Sequence, residues 1–487
     1  MYFSSMTFLW VFLPITLILY FIAQRFGKNF AGNIVLLLAS LIFYAWGEPV
    51  YILLLLVSVA MNYIFGILLG REREHGRKLI LALGVLLNIG LLGFFKYFNF
   101  FAIYLNRILG GDYIPMSRFA LPLGISFYTF QAMSYVIDVY RKEVKAQKNF
   151  FYLLLYISLF PQLVAGPIVK YKDIETQILE RTNTAEKRAY GVKRFIYGLG
   201  KKVLLSNVFG KYVDMVLGFE AAQLSTGLIW LVMIMYTFQI YYDFSGYSDM
   251  AIGLGRMFGF HFLENFNYPF MSKSITEFWR RWHISLGSWF REYVYIPLGG
   301  NRVSLPKQVR NIAVVWLLTG FWHGANWNYV LWGVYFGVFL VIEKFFLAKY
   351  LKRLPKAVSH IYTLLIVWVS FVFFGLEDLS RAGEFVRSMF VPGAAGFVDT
   401  QALYLLRNYA VILVILAFGA TDLPKRAADR LLAGTAKNAA AEIKMSVSRS
   451  RLIFATITRA AYLVLVFVIA MAYVVDATYN PFLYFRF

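Results

Sequence analysis

Apolar stretches alternate along the chain with short polar and basic runs, at close to the length a bilayer core requires. They lie near residues 6–24, 33–47, 50–69, 79–95, 120–140, 195–218, 226–244, 310–321, 327–346, 361–376, 404–420 and 453–475. This pattern predicts an all-α polytopic membrane protein with about a dozen transmembrane helices. Two further stretches are short and broken by proline and glycine: Phe150–Ile168, and Trp289–Gly300 with its Pro297 and Gly299-Gly300. They read as re-entrant or interfacial helices, because interrupted backbone at membrane depth needs protein or a water-filled cavity to satisfy it.

Basic runs set the expected orientation. Arg25 and Lys28 follow the first stretch, and Arg71, Arg73, Arg77 and Lys78 follow the third, whereas the Gly47-Glu48-Pro49 turn between carries no Lys or Arg. By the positive-inside rule the N-terminus lies outside the cytoplasm, and Arg141–Lys148, Lys170–Arg194, Arg280–Arg310, Lys344–Lys356 and Lys425–Arg451 lie inside it. The Glu377–Leu403 loop and the Asn480-Pro481-Phe482 tail then fall outside, so both termini are extracytoplasmic. Met1–Ser5 lacks a positive leader region, so the first stretch reads as a retained helix.

Composition agrees with this pattern. Of 487 residues, 60% are apolar and 15% charged, against about 25% charged in soluble domains. The chain reads as one integral membrane domain over residues 1–487, with an amphipathic inner-leaflet segment at 421–452 rich in Ala, Arg and Lys. The net charge of +22 sits in the short loops facing lipid and anionic ligands, which argues against nucleic acid as a partner. No cysteine is present, so disulfides, thiolate metal sites and acyl-cysteine intermediates are excluded. We find no zinc motif, phosphate loop or serine elbow.

Ionisable groups inside apolar segments are functional candidates by default. Here they are Lys96, Asp243, Asp249, Glu277, His283 and His323. His323 lies in Thr319-Gly320-Phe321-Trp322-His323-Gly324-Ala325-Asn326-Trp327, a polar apex between two stretches that enter and leave on one side. An uncharged imidazole held there has a ring nitrogen free to take a proton, the state a general base needs, although a structural histidine bridging helices has the same signature. His283 follows Glu277-Phe278-Trp279-Arg280-Arg281-Trp282, where the spacing predicts one helix with Trp279, Trp282, Leu286 and Trp289 on a face and a Glu277–Arg281 pair. Downstream, the Gly299-Gly300 turn with Arg291, Asn301 and Arg302 forms a candidate phosphate cradle. Asp243 and Asp249 at a span end are expected to form salt bridges with basic residues of the next segment.

Several longer patterns carry a resemblance. Arg280-Arg281-Trp282-His283-Ile284-Ser285-Leu286, Arg291-Glu292-Tyr293-Val294-Tyr295-Ile296-Pro297-Leu298-Gly299-Gly300-Asn301 and Gly320-Phe321-Trp322-His323-Gly324-Ala325 occur in order. Leu121-Pro122-Leu123-Gly124-Ile125-Ser126-Phe127-Tyr128 and Asp243-Phe244-Ser245-Gly246-Tyr247-Ser248-Asp249 accompany them. Together they resemble the membrane-bound O-acyltransferase family, in its bacterial branch of alginate O-acetylation and, more remotely, teichoic-acid D-alanylation. Residues 347–451 match least.

The resemblance implies a helical ring around a thinned centre, His323 as the active-site histidine and His283 as its nearby second. It further implies a bacterial cytoplasmic-membrane enzyme without a bound cofactor. Such an enzyme takes an acetyl group from acetyl-CoA or another acyl thioester and passes it, through an extracytoplasmic acetyltransferase, to an exopolysaccharide. D-alanyl transfer from a carrier protein is the alternative within the class. A proton-coupled transporter or flippase using His323, Asp243 and Asp249 is the rival outside it.

Overall fold

The computed structural model describes residues 1–71, 76–432 and 449–476, and no strand occurs among them. The N-terminal half comprises α1 (Leu13–Gly47), α2 (Ile52–Gly70), α3 (Arg77–Leu109), α4 (Ile125–Tyr140), α5 (Phe150–Ser158), α6 (Phe160–Leu163), α7 (Tyr171–Glu180), α8 (Ala185–Gly200) and α9 (Asn207–Leu217). The long α10 (Thr226–Met257) is followed by two short helices, α11 (Ile275–Arg281) and α12 (Ile284–Phe290). Then come α13 (Leu305–His323), α14 (Trp327–Ile342), α15 (Ala348–Leu351), α16 (Lys356–Gly375), α17 (Leu379–Phe390), α18 (Thr400–Gly419), α19 (Leu423–Leu432) and α20 (Arg449–Asp476).

Eight helices among the described residues are long and apolar enough to cross a membrane: Phe8–Gly47, α2, α3, α10, Trp327–Leu351, α16, α18 and Thr456–Asp476. The first holds two of the expected stretches, 6–24 and 33–47, one on each side of a break at Gly27–Lys28, where Lys28 has φ 49 and ψ −141. The stretches at 120–140, 195–218 and 310–321 fall into α4 (16 residues), the α8–α9 run and α13 (19 residues), which are shorter or more polar. The stretch at 150–168 is two short helices, α5 and α6, as its proline and glycine require. Of the expected inner-leaflet segment at 421–452, Leu423–Leu432 is a helix; residues 433–448, like the Asn480-Pro481-Phe482 tail, lie outside the described residues.

Side-chain contacts sort the loops onto two ends. The Met1 nitrogen lies close to Gly47, and Glu48 Oε1 accepts from the Leu123 amide at 3.2 Å. The N-terminus, the acidic turn and the 110–124 loop therefore share one end. At the other, Arg77 donates to Tyr140 O at 2.7 Å and Tyr63 to Lys148 O at 2.7 Å, gathering the basic loops. Large apolar side chains exposed on the outer helices, such as Ile18, Leu53, Val411 and Val464, meet lipid rather than water.

Glycines set the closest helix contacts. Gly191 and Gly198 of α8 face Gly253 and Gly246 of α10, and a Cβ on Gly198 would lie 2.5 Å from Gly246 O. Small residues are what allow membrane helices to approach backbone to backbone. The α13–α14 hairpin uses the same device: a Cβ on Gly320 would lie 2.5 Å from Tyr329 O, and one on Gly333 would strike Trp316 O. That contact fixes the apex that carries His323.

Candidate active site

His323 is the last residue of α13. Nineteen helical residues at about 1.5 Å each carry it roughly 28 Å from the basic end where α13 begins. It is 5% exposed and sits edge-on to Trp322 and Trp332, both at 4.9 Å between ring centroids, and to Phe374 at 5.4 Å. Its Nδ1 has no hydrogen-bond partner among the described residues. The structural bridge between helices that the sequence left open is therefore not made at that nitrogen.

His323 lines a cavity of about 80 Å³ together with Lys96, the Leu121–Phe127 strip, Val164 and Trp322. The strip belongs to the end of the fold that holds the N-terminus, opposite the basic loops. Gly124 (φ +74) lets it turn tightly into α4, and a Cβ there would lie 2.7 Å from Leu163 O. The space admits a few waters or an acetyl-sized group but no nucleotide.

His283 is placed differently from the sequence expectation. The predicted single helix is two, α11 and α12, split at Trp282-His283, and His283 takes φ 46 and ψ 53. Left-handed backbone at a residue with a Cβ is strained and needs surrounding structure to hold it. The 265–267 loop does so, with the Ile284 amide donating to Asn265 O at 3.0 Å and the Asn267 amide to Arg281 O at 2.9 Å, and a second distant group fixes the start of α11. Glu343, 1% exposed, accepts from the Ile275 amide (2.6 Å), the Thr276 amide (2.8 Å) and Thr276 Oγ1 (2.7 Å), anchoring the start of α11. Asn265 Oδ1 accepts from the Ser285 amide (3.2 Å) and Ser285 Oγ (2.9 Å) and lies 3.2 Å from His283 Nδ1.

That geometry fixes the proton. An amide N–H can only donate, so the Asn265 atom it meets is the oxygen; an oxygen accepts, so Nδ1 of His283 carries the hydrogen. The lone pair therefore sits on Nε2, which is buried and has no partner among the described residues. Such a ring can accept a hydrogen bond from an N–H or O–H, but cannot donate one to an acyl oxygen. Trp322 stands beside both histidines, at 5.7 Å from His283 and 4.9 Å from His323. We expect Asn265→Leu to lower turnover about 10–100-fold, the scale seen when the group orienting a metal-bound histidine is lost. Asn265→Asp, which keeps the acceptor, should recover most of it; equal rates in all three proteins would overturn the assignment.

The aromatic stripe is divided by the same break. Trp279 packs with Trp316 and Trp332, while Trp289 stacks on Phe130 at 3.9 Å and donates to Phe130 O at 3.0 Å. The Glu277–Arg281 pair forms at 2.8 Å. Arg291, Asn301 and Arg302 stay on the basic face and do not reach the His323 cavity. Arg291 and Arg302 are exposed, and Asn301 Oδ1 accepts from Tyr295 (2.6 Å) and Lys344 (2.7 Å). Beside Arg291, Glu292 pairs with Lys170 (2.7 Å) and Lys172 (2.8 Å); burial alone would raise its pKa, but these lysines outweigh it and hold the carboxyl below its ordinary value.

The α10 carboxylates are paired, but with the preceding segment rather than the following one. Asp243 meets Lys202 at 2.5 Å, both 2% exposed, and Asp249 meets Arg194 (2.6 Å) and Lys201 (2.7 Å). The glycine contacts of α8 with α10 bring these cations into reach. Neither Asn265 nor Glu343 was singled out from the sequence. Glu343 had a signal, a carboxylate closing a 16-residue apolar helix, whereas Asn265 in its loop had none.

Comparison with known proteins identifies the family of this multi-pass helical chain. The sequence model of the membrane-bound O-acyltransferase family matches residues 78–376, and the chain belongs to that family. It is thus a multi-pass membrane O-acyltransferase. It is 39% identical over 506 residues to the probable alginate O-acetylase AlgI of Azotobacter vinelandii, covering 100% of both chains. It is 36% identical to the peptidoglycan O-acetyltransferase of Helicobacter pylori, over 80% of this chain and 79% of that one. It is 30% identical to the teichoic acid D-alanyltransferase of Bacillus subtilis, over 53% of this chain and 68% of the other.

Proposed function

We propose that this protein carries an acetyl group from a cytoplasmic thioester, acetyl-CoA, across the bacterial cytoplasmic membrane for O-acetylation of a cell-surface polysaccharide. A separate extracytoplasmic transferase makes the final transfer. The observation that carries this reading is His323 itself, borne on a hairpin rooted in the basic end and lining a cavity on the opposite end. The names of the relatives support the choice of substrate, since alginate and peptidoglycan are both surface glycans.

In this reading the basic end is cytoplasmic and attracts the anionic donor, with Arg291, Asn301 and Arg302 meeting its phosphates. An extended thioester arm then spans the distance to the histidines. The acceptor hydroxyl enters the outer cavity. Its oxygen attacks the thioester carbonyl carbon as His323 takes the proton; the C–O bond forms, the C–S bond breaks, and the leaving thiolate takes the proton back. His283, with its lone pair on Nε2, is left able to accept an N–H or O–H from a group brought into the site.

The test is to reconstitute the protein in liposomes and offer labelled acetyl-CoA or a D-alanyl carrier-protein thioester to one face at a time. Label should leave acetyl-CoA only when it reaches the face bearing Arg302. Transfer from the carrier thioester alone would make this a D-alanyl transferase. Substrate uptake without any acyl donor would point to a transporter.

A further inference from the structure

An α-helix ends with four carbonyls that have no partner within it, and α13 lacks the usual remedy. The residue after His323, Gly324, is extended (φ −170, ψ 158) rather than left-handed, so no glycine turn folds back to satisfy them. The partners come from α3 instead. Tyr97 OH donates to Phe321 O. Lys96 Nζ donates to Trp322 O at 2.5 Å and to His323 O at 3.2 Å, and its third direction meets Ser126 Oγ at 3.3 Å. Two adjacent residues of one helix thus hold three of the four orphan carbonyls of another, some 225 residues away in sequence.

Lys96 is the only charged residue of α3 between Lys78 and Arg107. A cation is costly in a membrane span, and this one forms no salt bridge with any described carboxylate. Its three N–H groups all have acceptors, so it is committed to the protein rather than available to a ligand. Its charge complements the negative end of the α13 dipole. It also lines the cavity beside His323 and joins, through Ser126, the first turn of the cavity's opposite wall.

We propose that Lys96 is the positioning residue of the acyl-transfer centre: it caps α13 from outside and ties the His323 turn to the Ser126 wall, so that the imidazole and the entering hydroxyl keep a fixed separation. This rests on the reading of His323 as the base. Reaction geometry is sensitive to small displacements, about 1 Å being worth as much as 100-fold in rate.

The experiment measures thiol release from acetyl-CoA by purified protein in nanodiscs, which a chain without cysteine allows against no background from its own thiols. Wild type is compared with Lys96→Arg, Lys96→Gln, Lys96→Met and His323→Ala, each also assayed for thermal unfolding. We expect kcat to fall in the order Lys, Arg, Gln, Met, by about 10–100-fold at the end of the series. KM for acetyl-CoA, which arrives from the opposite side, should stay within about twofold across it. Where Lys96→Met does not fold, the Arg and Gln variants decide, because both keep donors for the carbonyls. Wild-type kcat in the Gln variant, or losses that track lost thermal stability in every variant, would overturn the positioning role. A fully active His323→Ala protein would instead overturn the base assignment on which it rests.

Discussion

Replacing His323 with alanine should abolish most acyl transfer, lowering the rate by about 10²–10⁴-fold, the usual contribution of a positioned general base. The protein should remain folded, because the ring makes edge contacts to Trp322, Trp332 and Phe374 and leaves Nδ1 without a partner among the described residues. Its loss opens a space beside an existing cavity and leaves no buried polar group stranded. The expected signature is therefore a protein that unfolds at nearly the wild-type temperature and binds donor with unchanged KM but turns over slowly. His323→Gln, closer in volume, should be equally slow. Initial rates of donor cleavage and a melting curve on the same preparation check both halves. A stable variant at full rate would remove the histidine from the chemistry.

Asp243→Ala should do the reverse, harming the fold before the chemistry. Asp243 and Lys202 form a pair that is almost wholly inaccessible, at 2.5 Å. Removing one partner of such a pair costs about 3–5 kcal/mol, because the remaining charge is left buried without its counterion. Replacing both by apolar residues of similar volume is often neutral or stabilising. We expect Asp243→Ala to lower the unfolding temperature sharply, and the double variant Asp243→Leu with Lys202→Met to recover most of the loss and retain acyl transfer. A transporter that moved protons through Asp243 would give the opposite result: a stable single variant and a stable but inactive double variant. Thermal unfolding and donor cleavage of the two proteins distinguish these outcomes.

The membrane helices were readable in the sequence because apolar length is a local property, and His323 was readable because Gly320 and Gly324 interrupt such a stretch. The break at His283 was not. The aromatic spacing from Trp279 to Trp289 fits one helix, and what splits it is remote: Glu343 anchors the start of α11, and Asn265 holds the residue between the two short helices. The place of Asp243 and Asp249 at a span end marks them as ion-paired, but their partners precede α10 in the chain. The glycine faces of α8 and α10 decide the matter, and which helices will touch is not written in either one alone. Lys96 is legible as a cation inside an apolar stretch, yet its contacts are with carbonyls, which every residue has and no sequence pattern marks.

The contact of Gly320 and Gly333 with the opposing backbone has a further result for substrate range. Main chain resting on main chain leaves no side chain to trim, so the depth of the imidazole is effectively a fixed ruler. On the proposed reading, room for a bulkier group beside the imidazole has to come from the side chains that line the cavity, chiefly the Leu121–Phe127 strip with Val164.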